Sequence, residues 1–446
     1  MVSALLKQQI DKHYPKVVRG KGVWLWDSEG RDYIDGSSGA MTANIGHGVT
    51  EIAQAMQEQA SQIAFTFRTQ FTNQPAEDLA ARLAALAPGD LNHVFFVSSG
   101  SEASEYAMRV AIHTWKERGL PRKVRFLSRE RSYHGMTMGA LSMSGHDARR
   151  PDYSTLLHPF PAVAAAYEYR SSWADLPADQ KYKSADEWET AILEAGADNV
   201  AAVIVEPIVG AAGGALVAPE GYFKRLREIC DQHNVLLIMD EVITGMGRTG
   251  KWFASEHEGI VPDMIITAKG LSAGYTPMGA VIIRDPLVES MRAGSGYAPF
   301  GHTFSGNPLG CAVCLAVMDY LDQHHVLANV VARGAQVEAG LRALSDRYQH
   351  MVDVRGRGLL WGFEFVLDRK TRTPPPAEMN ATGLFADICQ ENGLIVYPAG
   401  IKPYNNAALV APPLVINAEE VQDLLARLEK SLSAMAEHLS ELAVNV

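Results

Sequence analysis

The chain has 446 residues, 47% of them hydrophobic and 20% charged, which fits two or three globular domains and excludes disordered, collagen-like and coiled-coil compositions. Its formal net charge of −11 repels polyphosphate at long range, so nucleic acid is a poor partner, and small molecules or other proteins are the expected ones. Four cysteines, Cys230, Cys311, Cys314 and Cys389, are too few and too irregular for a disulfide framework and suit a reducing compartment.

The first 18 residues carry Lys7, Asp11, Lys12, His13 and Lys16 and lack the apolar core of a signal peptide or anchor. No later apolar run nears the ~20 residues that span a bilayer, so a cytoplasmic protein without a membrane partner is expected. Gly22 to Asp35 reads as a β-hairpin turning at Ser28-Glu29-Gly30. From about residue 77, helical patterns alternate with short apolar strands at 94–97, 124–127, 201–205, 235–239, 264–267 and 280–283. Strands this apolar predict an α/β fold, a mostly parallel central sheet with helices on both faces. Ala103, Tyr106, Ala107, Val110, Ala111 and Thr114 line one face of a helix over 102–118. Residues 145–183 read as a surface insertion, and Ser184 with Glu187 as a capping box opening the next helix, which stops near Gly196. Cys311 and Cys314 sit in an apolar helical run, 310–318, without a second ligand pair, so helix packing is expected there and no metal site. Past residue 325 long amphipathic helices and an extended stretch, 358–367, predict a smaller α+β domain. The expected division is an N-terminal arm (1–60) contributing to the small domain, a large domain (61–325) and a C-terminal small domain (326–446). The last helix repeats Val421, Leu425, Leu428, Leu432, Met435, Leu439 and Leu442 in a heptad pattern, read as a domain helix burying one face.

Gly245, Gly247 and Gly250 satisfy G-x-G-x-x-G, but Asp240 to Thr244 separate them from the strand, and the next acid, Asp263, falls short of the expected spacing of about 20 residues. A nicotinamide site is therefore disfavoured, and no P-loop motif occurs. Other strand ends carry better chemistry. Ser98-Ser-Gly-Ser101 enters the 102–118 helix, with the form of a phosphate cradle or, equally, of an ordinary cap made by Ser101. Asp240 ends one strand, and Lys269 follows another in a glycine-flanked turn, where a lysine invites a chemical explanation. Phosphate donors, a carboxylate and a lysine are the parts that hold pyridoxal 5'-phosphate.

Here the chain resembles the class III pyridoxal-phosphate aminotransferases of fold type I, through SSGSEASEYA (98–107), YHGMT (133–137), VEPIVGAAGG (205–214), MDEVITGMGRTG (239–250), ITAKG (266–270) and HTFSGNPLGCA (302–312). With the hairpin and APPLVI (411–416), these segments run in family order over nearly the whole chain. The resemblance implies that Lys269 forms the Schiff base and shuttles the proton, and that Asp240 keeps the pyridine nitrogen protonated. It implies that Gly100 and Ser101 bind the phosphate, that Tyr133 and Val242 sandwich the ring, and that His134 and Glu206 stand beside it. Thr303 resembles the hydroxyl that reaches the phosphate from a partner subunit, which implies a homodimer with shared sites.

The implied reaction is transfer from an ω-amino acid or amine to a 2-oxo acid. A racemase or aminomutase of the same family is the alternative, told apart by activity without an oxo acid. A non-catalytic scaffold is disfavoured because Lys269, Asp240 and the phosphate motif are all present. Two departures concern the substrate. Met41 stands where many amine:pyruvate members carry an aromatic residue. Tyr397 stands near where they carry a mobile arginine that binds the substrate carboxylate, and 401–408 is additional sequence. Arg68 and Lys402 are the replacement candidates, each competing with an ordinary surface or structural role.

Overall fold

The computed structural model describes residues 4–171, 176–401 and 404–443. A seven-stranded sheet forms its centre, in the order His93–Val97, Gly279–Ile283, Met264–Thr267, Leu236–Asp240, Val200–Val205, Arg125–Arg129, Ala162–Val163. Only Gly279–Ile283 runs antiparallel to its neighbours. Every residue of Val200–Val205 and Leu236–Asp240 is buried, as expected for strands covered on both faces. On one face Ala103, Tyr106 and Val110 of the helix Gly100–Glu117 pack on Ile204, Ile238 and Ile266. On the other, Ile192, Leu226 and Met318 bring three further helices against Val203, Leu237 and Ile265.

The N-terminal hairpin closes as expected, with the Asp27 carboxylate accepting from the N–H groups of Glu29 and Arg31 across the turn (2.9 and 3.0 Å). Its strand Asp32–Asp35 then pairs in parallel with Leu394–Ile395 from the far end of the chain. Met351–Arg357, Leu360–Phe365, Ala407–Val410 and Tyr397–Ala399 form a separate antiparallel sheet. The helices Val326–Arg347, Ala381–Glu391 and Ala418–Ala443 share a core with that sheet through Val337, Phe363, Phe385, Val410 and Leu428. Among the described residues no helix is long and apolar enough to cross a membrane.

Three local expectations change. The capping box at Ser184 does not form, because a 3-10 helix, Ala178–Ala185, already runs into the α-helix Asp186–Ala195, and the Ser184 hydroxyl donates back to the Lys181 carbonyl (2.8 Å). The 145–183 stretch is more than a surface insertion: Ala162–Val163 adds an edge strand to the central sheet, and Val163, Ala166 and Tyr167 are buried behind it. In the last helix Leu424 is fully buried and Leu425 packs at the margin, a 3.6-residue face and not a heptad seam. Cys311 and Cys314 are buried and free in the helix Pro308–Gln323, where burial pushes the Cys311 thiol up to about 12.

The GMGRTG segment works as a clasp. Arg248 is fully buried; it donates to the carbonyls of Leu359 (3.0 Å) and Pro412 (2.6 Å), to Asn44 Oδ1 (2.8 Å) and to the Ser38 hydroxyl (3.1 Å). It thereby ties the segment after the catalytic sheet to both chain ends. Arg248→Met, which strands those buried acceptors, is expected to destabilise the protein by about 3–5 kcal/mol, read as a lower urea midpoint at unchanged slope.

Candidate active site

Five strands of the central sheet end on one edge, and the residues at or just past their ends meet there, where open α/β sheets hold ligands. Ser99, Gly100, Ser101, Tyr133, His134, Glu206, Asp240, Val242 and Lys269 line a single cavity of about 420 Å³. Eight of the thirteen residues singled out from the sequence are therefore brought together.

At the start of the helix Gly100–Glu117 the N-cap is Ser99, whose Oγ accepts from the Glu102 N–H (3.2 Å). Ser101 does not cap; its hydroxyl accepts from the Met136 N–H (3.1 Å) and so fastens the 133–137 loop to the helix. The N–H groups of Gly100 and Ser101 are left at the cavity wall without a protein acceptor among the described residues, at the positive end of the helix dipole. Gly135 makes the approach possible: its φ is +137°, and a Cβ there would lie 2.6 Å from Ser101 Oγ.

Opposite the helix end lies a buried acid pair. Asp240 Oδ2 is 2.7 Å from His134 Nδ1, the two side chains 4% and 0% exposed, and Asp240 Oδ1 accepts from the Val242 N–H (3.1 Å). His134 Nε2 is buried without a partner. Glu206 accepts from the N–H groups of Tyr133 and Gly210 (both 3.0 Å), while Arg129, fully buried, donates to the Glu206 carbonyl. Burial raises the Glu206 carboxyl, opposed by His134. Lys269 follows Met264–Thr267 with φ +41°, a left-handed conformation uncommon outside glycine and concentrated at functional sites. Burial pulls its amine down to about 8, against the attraction of Asp240 and Glu206 and with help from the charge of Arg149.

The other singled-out residues lie elsewhere. Met41 is 1% exposed and packs with Ile208, Ile243 and Ala399, and its neighbour Thr42 takes the place on the cavity wall. Tyr397 packs against the same cluster. Arg68 lies over the Phe95 ring (5.3 Å), on a different cavity. Thr303 is exposed and outside this chain's own cavity lining. Lys402 lies outside the described residues. Sequence reading missed Ser99, for which the S-x-x-E spacing to Glu102 was the available signal, and Arg149, whose guanidinium lies 4.6 Å from the centre of the Tyr133 ring. Nothing in the order Arg149-Arg150 marks which of the two turns inward.

The sequence profile of the class-III aminotransferases matches residues 7–432. An uncharacterised aminotransferase of Bacillus subtilis, YodT, is 42% identical over 99% of this chain and 100% of its own length. The putrescine–pyruvate aminotransferase of Pseudomonas aeruginosa is 35% identical over 96% of this chain and 93% of its own. The crystal structure of a thermostable (S)-enantioselective omega-transaminase from Thermomicrobium roseum superimposes with a TM-score of 0.90 at 35% identity, covering 96% of this chain and 94% of that one. With the fold, the strand-end cavity and this similarity along the whole length in agreement, the chain belongs to the class-III aminotransferases, pyridoxal-phosphate enzymes that pass an amino group from a donor to a keto acid.

Proposed function

We propose that this aminotransferase takes the amino group of an ω-amino acid or amine and gives it to a 2-oxo acid, pyruvate in preference to 2-oxoglutarate, by a ping-pong mechanism. The observation that carries the reading is the meeting of Lys269, Asp240 and the open N–H groups of Gly100 and Ser101 in one cavity. These residues fit pyridoxal phosphate. The helix end suits a dianion, Asp240 a ring nitrogen, and the unpartnered His134 Nε2 a polar group beside that ring. Tyr133 and Val242 offer an aromatic and a branched surface to its two faces.

When bound, pyridoxal phosphate supplies an aldehyde for amine exchange and a ring that accepts the electron pair left on the substrate carbon. Asp240, held by His134, is the carboxylate that would pair with the ring nitrogen. Glu206, anchored by two backbone N–H groups, orients the loop that carries Tyr133. Lys269 Nζ, neutral above about pH 8, would take the proton from the substrate carbon that bears the amino group and return it on the other side of the nitrogen.

Pyruvate is favoured because, among the described residues, Lys269 is the one cation on the cavity wall and Arg149 stands behind the lining residue Tyr133, so a second, distal carboxylate meets no further counter-charge. The substrates named for the Pseudomonas relative are of the same kind. We also propose a homodimer with shared sites. Phe304, next to Thr303, is 60% exposed and meets Phe65 edge-on (6.1 Å), and Phe67, Phe71, Tyr297 and Phe300 in the same two segments are exposed as well, apolar surface of the kind that a partner subunit covers.

The test is a panel of amine and ω-amino acid donors crossed with pyruvate, 2-oxoglutarate and no acceptor. We expect kcat/KM to be at least about tenfold higher with pyruvate than with 2-oxoglutarate. Preference for 2-oxoglutarate would overturn the acceptor assignment. Turnover without any oxo acid would point to a racemase or aminomutase instead.

A further inference from the structure

We infer that Arg149 is the cation that receives the carboxylate of the 2-oxo acid, a specificity-determining residue on the Tyr133 side of the cavity; this rests on the 2-oxo acid reading above. Arg149 ends the short 3-10 turn Asp147–Arg149, and its guanidinium lies over the Tyr133 ring, which itself lines the cavity with Lys269. Its charge reaches Lys269, where it disfavours the protonated amine.

The neighbouring arginines are already committed. Arg150 Nη1 donates to the carbonyls of Leu141, Ser142 and Ser144 (2.8, 3.2 and 2.6 Å). Arg129 is bound to the Glu206 carbonyl, and Arg170 and Arg355 both pair with Glu364. Arg131 is held between the rings of Tyr167 and Tyr404 (5.4 and 5.0 Å). Arg149, half-buried, hydrogen-bonds the Tyr133 hydroxyl but makes no ion pair and donates to no carbonyl among the described residues. His146, edge-on to Tyr133 at 6.0 Å, adds no charge, since burial and Arg149 pull its ring down to about 4. A half-buried guanidinium held only by a ring and its hydroxyl gains an ion pair when an anion arrives, and its planar fork matches a carboxylate.

On either side of residues 402–403, the segment that would otherwise carry such a cation is tied down. Tyr397–Ala399 pairs with Ala407–Val410, and Arg131 and Arg170 both lie over Tyr404. One fork for one carboxylate selects acceptors with a single carboxylate next to the carbonyl.

The experiment compares pyruvate with propanal, a three-carbon aldehyde that has no carboxylate, as acceptors for the amino form of the holoenzyme. Arg149→Gln should raise the half-saturating concentration about 10- to 100-fold more for pyruvate than for propanal, with Arg149→Lys between wild type and Gln in that ratio. Apart from turnover, the Kd of propionate, followed by the cofactor absorbance, should weaken by the same factor as pyruvate. Equal losses for both acceptors would show that Arg149 only props Tyr133, and an unchanged pyruvate response would likewise overturn the inference. A wild-type enzyme that aminates propanal but no 2-oxo acid would bring down the acceptor reading and this inference with it, whereas normal pyruvate use by Arg149→Gln brings down the inference alone.

Discussion

Lys269→Ala is expected to lower turnover by at least about 10³-fold while leaving the protein folded, because it removes the one amine placed to exchange with substrate and to move the Cα proton. The same side chain burdens the cofactor-free protein. Its amine titrates near 8 in the fold, below the ordinary 10.5, so between those values the unfolded chain holds a proton that the folded chain lacks. Stability of the cofactor-free protein therefore rises with pH from about 8 to about 10.5, and below 8 the full cost applies, about 3 kcal/mol. Lys269→Met, neutral and of similar length, should melt higher than wild type at pH 7 when both lack cofactor, and the gap should close above about pH 10.5. Reconstitution of the wild-type apoprotein should quicken as pH climbs through 8, since only the neutral amine attacks an aldehyde. A Lys269→Ala variant that turned over normally, or a Lys269→Met apoprotein less stable than wild type at pH 7, would contradict the assignment.

Asp240→Asn is expected to reduce kcat by about 10²–10³-fold with cofactor still bound, because the phosphate donors of Gly100 and Ser101 are untouched. The carboxylate is 4% exposed, 2.7 Å from a buried imidazole. In so dry a place a full negative charge opposite a ring nitrogen is worth far more than in water, and an amide of the same shape offers none. Cofactor content measured by absorbance, set against kcat, separates the two effects. Loss of both together would assign Asp240 to binding alone, and wild-type kcat would remove it from the chemistry.

These two residues were also the most legible. Short apolar strands can be read from periodicity, and a parallel sheet with right-handed crossovers brings the ends of its strands to one edge. Asp240 and Lys269, each directly after such a strand, had to meet wherever the loops went. The glycine at position 100, where the helix starts, belongs to the same local grammar. Positions decided by side-chain company were different. Ser99 and Ser101 are alike in sequence, and one caps the helix only because the other is drawn to the Met136 N–H. Ser184 has a capping spacing, but the chain before it is already helical.

The glycine signature around Arg248, rightly not read as a nicotinamide site, shows what a local pattern leaves out: its meaning is four acceptors contributed from residues 38, 44, 359 and 412. Met41 and Arg68 were drawn from the right regions, yet the fold turns one into a core beside Ile243 and sets the other over Phe95. By itself, then, the sequence determined the sheet and the residues at the strand ends, since these follow from local periodicity and chain direction, while the cofactor class came from the chemistry of those residues and the family resemblance of the motifs. Which arginine faces Tyr133, which serine caps and what the buried guanidinium of Arg248 holds were decided only by the tertiary structure, because each depends on partners distant in the chain competing for the same hydrogen bonds and space.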